Sequence, residues 1–199
     1  NIIKFYSNNS INSTSYCRIV NNNHFRRVKE LIDNAKLHGG DILYGGKTNK
    51  EKNYIEPTLI ENISKNSKIY NHEIFGPILP IFTFKNINDS ISFVNEKEKP
   101  LALYIFSNNK KNINKILNET SSGGVCINHS TLHYSNYNLP FGGIGNSGFG
   151  KCHGIYGFKE FSNQKSILEQ FSSFSPTDLL VPPYNRFKQN LINLIIKYF

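Results

Sequence analysis

Leu101-Ala102-Leu103-Tyr104-Ile105-Phe106 is a nearly unbroken apolar run, and its reading decides the fold. Such a run suits a strand covered on both faces, as strands of parallel sheets are. The flanking segments fit the same scheme. Upstream, residues 78–84 form another apolar run suited to a buried strand. Asn88 can then cap a helix carrying Ile91 and Val94, which ends near Lys97 before Pro100. Downstream, residues 109–118 set Ile113, Ile116 and Leu117 at helical spacing. Gly123-Gly124 follows, and Val125-Cys126-Ile127 supplies a third short strand. Strand, helix, strand, helix, strand with short connections predicts right-handed crossovers, a parallel sheet and an α/β architecture.

Toward the N-terminus, residues 1–17 are polar and turn-rich, without periodicity. From Asn23, Phe25, Val28, Leu31, Ile32 and Ala35 fall on one helical face, and Gly39-Gly40 stops the helix. Residues 41–44 read as a short strand before the Gly45-Gly46 turn, and residues 54–60 as a second strand weakened by Pro57. Toward the C-terminus, the pattern dissolves after Asn128 into a polar, aromatic loop through Asn138. Next come five glycines in the nine residues Gly142-Gly143-Ile144-Gly145-Asn146-Ser147-Gly148-Phe149-Gly150, a chain held in conformations that other residues resist. Residues 166–171 form a last strand candidate. A Ser- and Pro-containing tail follows and ends in the apolar stretch 191–199, which fits a packed terminal helix, an interfacial helix flanked by Lys188 and Lys197, an anchor cut short or an element lying on a partner.

The composition narrows the function classes. With 199 residues, 38% hydrophobic and 13% aromatic, the chain can bury a core. The net charge of +9 invites a nucleic acid or an anionic surface, but the basic residues are scattered and form no run of five or six, so no nucleic-acid partner is expected. Cys17, Cys126 and Cys152 are odd in number and lack metal spacing, which points to a reducing compartment. The chain has no Met and begins Asn1-Ile2-Ile3, which suggests part of a longer polypeptide. No stretch approaches the roughly 18 apolar residues of a spanning helix.

Most motifs are weak. Gly143-Ile144-Gly145-Asn146-Ser147-Gly148 satisfies G-x-G-x-x-G, but a dinucleotide fingerprint needs a strand before it and a helix after it. The preceding residues are polar and end in Pro140, and Gly150, Gly154 and Gly157 break the following ones. A glycine-rich structural loop passing close to another backbone or a ligand is the better reading. The six histidines make no ligand pattern, so no metal site is expected. Glu73-Ile74-Phe75-Gly76-Pro77 is more unusual. Either Glu73 is solvated and Phe75 belongs to the core, or the carboxylate grips ribose hydroxyls while the ring packs on a flat heterocycle.

Several segments, taken in order, resemble one family. Arg18-Ile19-Val20-Asn21 with His24-Phe25 and Arg27-Val28 is similar to the opening of the C-terminal part of class 3 aldehyde dehydrogenases. Glu73-Ile74-Phe75-Gly76-Pro77, Glu98-Lys99-Pro100-Leu101-Ala102-Leu103-Tyr104, Glu119-Thr120-Ser121-Ser122-Gly123-Gly124-Val125, the Leu139-Pro140-Phe141-Gly142-Gly143 loop, His153-Gly154 and Phe161-Ser162 continue the resemblance to about Leu168. Val181-Pro182-Pro183-Tyr184 before an apolar end resembles the tail of the membrane-associated, fatty-aldehyde branch.

The resemblance implies oxidation of aliphatic or fatty aldehydes with NAD or NADP: a Cys thiolate attacks the aldehyde carbon, hydride passes to the dinucleotide, and a Glu base activates the hydrolytic water. It places the nucleophile, the base and the oxyanion Asn upstream of Arg18, so it carries no catalytic residue onto this chain. It does carry three cofactor-binding positions: Glu73 for the nicotinamide ribose hydroxyls, Phe75 beside the nicotinamide, and Phe141 where cofactor and aldehyde pocket meet. Residues 128–139 lie where the family builds its aldehyde pocket, and their composition departs from the family's. The implied organisation is the C-terminal portion of a catalytic domain over residues 1–162, an oligomerisation strand over 163–172 and a tail over 173–199. Residues 166–171 would add to a partner's sheet in a homodimer. The expected location is cytoplasmic, with the tail offering attachment to an intracellular membrane surface. A catalytically inactive, truncated paralogue serving as an oligomerisation module is the competing reading.

Overall fold

The computed structural model describes residues 1–173 and 175–198. The chain divides after Val94 into two units, each with its own elements.

The first unit opens with helix α1 (Ile2–Tyr6) and a 3-10 turn (Ser10–Asn12), followed by helix α2 (Asn22–Leu37). Asn21 caps α2 by accepting the His24 N–H at 3.0 Å. Phe25, Val28, Leu31, Ile32 and Ala35 are all buried, the face that the spacing predicts. Strand β1 (Asp41–Tyr44), the ribbon β2 (Thr48–Asn49) and β3 (Tyr54–Ile55), strand β4 (Thr58–Glu61), helix α3 (Lys68–Asn71), strand β5 (Ile78–Pro80) and helix α4 (Ile87–Asn95) complete the unit. β4 runs antiparallel to β1 and parallel to β5, giving a three-stranded sheet in the order β1-β4-β5. The buried face of α2 meets Ile55, Ile60, Ile69 and Ile78, with Ile19, Ile42, Ile63 and Ile74 at the margin of this core.

The second unit begins with β6 (Ala102–Ile105), α5 (Lys110–Glu119) and β7 (Gly124–Ile127). β6 and β7 pair in parallel from Ala102↔Gly124 to Ile105↔Ile127, with α5 as the crossover, so this is a strand–helix–strand unit. Asn109 caps α5 through the N–H groups of Lys111 and Asn112. Helices α6 (Leu132–Ser135), α7 (Gly154–Glu160) and α8 (Arg186–Tyr198) follow, with 3-10 turns at Gly145–Ser147 and Pro176–Leu179.

The α/β class agrees with the sequence, and several details differ from it. The expected strand over residues 54–60 is two strands, because Pro57 has no N–H to donate and the chain turns there. The expected strand over 78–84 stops at Pro80: the ladder ends with the Ile81 N–H on Ile60 O, and β4 itself ends at Glu61. Phe82 and Phe84 are therefore exposed. The cap of α4 is Asn86, not Asn88; Asn86 accepts the Asp89 N–H and donates to the Asp89 carboxylate.

β5, β6 and β7 do not form one sheet. β5 is taken by β4, and β6 pairs with β7 alone. Consequently β6 is not covered on both faces, and Leu101, Tyr104 and Phe106 remain exposed. Helix α6 lies within the segment expected to be loop. Residues 166–171, expected as a strand, have no regular structure and form no ladder among the described residues, and Leu168 is 93% exposed. A strand needs a neighbour's backbone, and the described residues offer that segment none. The apolar stretch 191–199 belongs to α8, which begins earlier, at Arg186; Phe199 lies outside the described residues. Among those residues, no helix is long and apolar enough to cross a membrane.

Candidate functional site

In the first unit, Glu73 and Phe75 lie on the loop between α3 and β5, and three interactions pin its backbone. The Arg27 guanidinium, on α2, donates to Ile74 O at 2.7 Å, Phe75 O at 3.2 Å and Glu73 O at 3.5 Å. The Ile74 side chain joins the core margin. Gly76 lies against α2 so closely that a Cβ there would meet Val28 Cγ1 and Cγ2 at 2.8 and 2.9 Å. Pro77 O then accepts the Thr58 N–H at 2.8 Å, which leads the chain into β5.

With Ile74 turned inward, Glu73 and Phe75 face outward. Phe75 is 79% exposed and has φ +41, a conformation that costs a β-carbon residue free energy. An aromatic ring exposed to water on a strained backbone gains little from folding of its own. The reading of Phe75 as a core residue is therefore overturned, and an exposed carboxylate stands two residues away. A ligand with a flat ring and neighbouring hydroxyls would find a stacking face and an acceptor here.

In the second unit, Phe141 forms an isolated antiparallel bridge with Cys152: its N–H donates to Cys152 O at 3.1 Å and its carbonyl accepts the Cys152 N–H at 2.7 Å. Its ring lies among other rings. His153 stacks on it at 5.5 Å with a 17° interplanar angle, Tyr134 meets it edge-on at 5.0 Å, and His133 lies 5.6 Å away. Both ring nitrogens of buried His133 lack a hydrogen-bond partner among the described residues. Residues 128–139 thus contribute rings beside Phe141, where the resemblance puts the aldehyde pocket.

The glycine loop after Phe141 closes on itself. A Cβ on Gly143 would lie 2.1 Å from Ser147 O, so only glycine fits. An isolated bridge, not a strand, precedes the motif, a 3-10 turn lies inside it, and α7 starts only at Gly154 rather than opening from it, which agrees with rejecting the dinucleotide fingerprint. No cluster of metal-binding groups occurs among the described residues. Cys17 and Cys152 are exposed, Cys126 is half-buried on β7, and the Cys152 thiol donates to Phe141 O at 3.1 Å.

Two contributors escape a sequence reading. Arg27 enters the sequence reading only as part of the resemblance, and nothing in its place on α2 says that its guanidinium reaches this loop. Lys151 looks like an ordinary cation after a glycine run, yet it binds backbone carbonyls of that run.

Comparison with known proteins gives these features a family. Residues 6–167 match the sequence profile of the Aldehyde dehydrogenase family. The chain is 45% identical over 185 residues to Aldehyde dehydrogenase family 3 member A2 of Rattus norvegicus, covering 92% of this chain and 37% of that protein. It is 40% identical over 181 residues to 4,4'-diaponeurosporen-aldehyde dehydrogenase of Staphylococcus aureus, covering 91% of this chain and 39% of that one. Its fold is similar to the substrate-bound state of Staphylococcus aureus AldH, with a TM-score of 0.81 and 37% identity over 98% of this chain and 42% of that one. The chain thus spans about two-fifths of the length of these relatives. With a profile match over most of its residues and relatives this similar across nine-tenths of its length, the chain belongs to the aldehyde dehydrogenase family.

Proposed function

We propose that this chain is part of an enzyme that oxidises aliphatic, fatty-type aldehydes to carboxylic acids with NAD or NADP. The observation that carries the reading is the pinned loop that holds the Glu73 carboxylate and the Phe75 ring outward. Both cofactors remain in the proposal; one similar solved structure, 30% identical, is described as an E. coli NADP dependent enzyme.

In this reading Glu73 accepts hydrogen bonds from the nicotinamide ribose hydroxyls, and Phe75 limits where the nicotinamide ring can lie. A dinucleotide held there would supply the hydride acceptor for the oxidation. Phe141, with Tyr134 and His153, forms an apolar wall against the aldehyde and keeps water from the reacting carbon. None of Cys17, Cys126 and Cys152 acts as the nucleophile: Ser15-Tyr16 beside Cys17 does not resemble the family's nucleophile motif, Cys126 and Cys152 match no catalytic position of the family, and the Cys152 thiol is engaged with a carbonyl.

The exposed segment 166–171 is proposed to pair as a strand with a second copy in a homodimer. Exposed Phe187, Leu194 and Ile196, with Arg186, Lys188 and Lys197, suit α8 for contact with an intracellular membrane surface from a cytoplasmic protein.

A chimera tests the activity. This chain replaces the corresponding C-terminal part of the Staphylococcus aureus relative, and aldehyde-dependent NAD(P)H formation is followed with aldehydes of increasing chain length. The expected result is turnover that favours long aliphatic chains, with none from the 199-residue chain alone. A folded chimera without turnover would overturn the reading.

A further inference from the structure

The ammonium of Lys151 is shared among three backbone carbonyls: Gly142 O at 2.6 Å, Gly143 O at 2.9 Å and Gly123 O at 3.2 Å. No carboxylate pairs with it among the described residues. Lysine offers three donors on one atom, and here all three find an oxygen. Two of these carbonyls immediately follow Phe141 in the chain, and the third immediately precedes β7. The next residue, Cys152, holds Phe141 through two backbone bonds. Lys151 and Cys152 thus fix the backbone of Phe141 and of the residues after it.

We propose that Lys151 is a positioning residue, whose ammonium holds the glycine loop so that the Phe141 ring keeps its place in the His133, Tyr134 and His153 group. What that ring meets in catalysis rests on the proposed aldehyde-oxidising function; the hold on the loop does not. The geometry demands a point charge. Arginine spreads its donors over a planar fork and cannot bring one atom to three converging carbonyls, and methionine matches the length but donates nothing.

The test uses the full chain with Lys151→Met and Lys151→Arg. Backbone hydrogen exchange is read at Phe141 and Cys152, whose amides form the bridge, and at Val28 and Leu31 in α2. Both variants should speed exchange at Phe141 and Cys152 by about tenfold or more, the loss of roughly one charge-assisted bond's worth of local stability, with α2 unchanged. Should Lys151→Met fail to fold, Lys151→Arg decides the matter. Unchanged exchange at the bridge, or equal acceleration in α2, overturns the proposal.

In the active chimera the same variants should raise the aldehyde KM several-fold with kcat little changed; a native KM there also overturns it. If the native chimera is inactive, the functional reading fails, and local exchange still decides whether Lys151 holds Phe141.

Discussion

Glu73 shows how little of a binding residue's meaning lies in its own contacts. Its carbonyl is held by Arg27, its neighbour Ile74 is in the core, and its carboxylate is left to solvent. Such an arrangement positions a charge without spending it on the fold. Replacing Glu73 with Gln keeps the size and removes the charge, so stability should be unchanged. In the active chimera, turnover should fall by about ten- to a hundredfold, as expected when charge-assisted bonds to a cofactor become neutral ones. Steady-state kinetics with a deuterated aldehyde would locate the loss: the isotope effect should rise if the nicotinamide has loosened. Unchanged turnover and cofactor affinity would remove Glu73 from the site.

Among elements, α2 does two tasks: its buried face builds the core, and Val28 on that face also seats the Glu73–Phe75 loop at Gly76. Alanine at residue 76 would place its methyl inside the contact shell of a fully buried valine, which has nowhere to swing. Gly76→Ala should therefore cost about 1–3 kcal/mol by overpacking. Val28→Ala leaves a cavity and costs a similar amount on its own. Together they should cost less than the sum, because the new methyl fills the space the old ones left. Urea unfolding of the two single variants and the double variant gives the coupling; strict additivity would mean that loop and helix do not touch in solution.

The longer helices α2, α4 and α5 were legible because apolar residues at i, i+3, i+4 and i+7 have one physical outcome, and α2 ends where its glycines say it must; the short α1, α3, α6 and α7 are too brief for a period to show. Apart from β2, which went unread, and residues 166–171, which form no strand among the described residues, the strands were legible in position but not in partnership. Nothing in residues 78–84 says that β4 rather than β6 will be the neighbour, since pairing is settled by long-range register. The site residues were legible only through resemblance to a family. Physical reasoning alone left Glu73 undecided, and the positive φ of Phe75 and the grip of Arg27 appear only in three dimensions.

At the scale of the whole molecule, residues 1–17 carried no periodicity, yet they are tied down by polar and aromatic contacts. Tyr6, Tyr16 and Tyr54 form a chain of edge-on rings, and Arg18 lies over Tyr54 at 5.2 Å. The Tyr16 hydroxyl donates to Ile55 O at 2.7 Å, and Tyr54 shares a buried 2.6 Å bond with Ser10. Burial pushes the Tyr16 phenol well above its ordinary value, with Tyr54 and Tyr6 adding to the shift; burial also raises Tyr54, against the lowering effect of its bond to Ser10. The folded state therefore keeps these protons to higher pH than the unfolded chain does. Their contribution to stability is fully present below the unfolded tyrosine value of about 10 and is lost as pH rises above it. Lysines titrate nearby, so the comparison must be between variants. Tyr16→Phe should lower stability at neutral pH, because the bond to Ile55 is gone, and should flatten the alkaline decline. Unfolding free energies from urea titrations at pH of about 8 to 11 test this. If native and Tyr16→Phe chains lose stability with the same slope above pH of about 10, Tyr16 does not hold its proton in the folded state, and the N-terminal segment is not anchored as described.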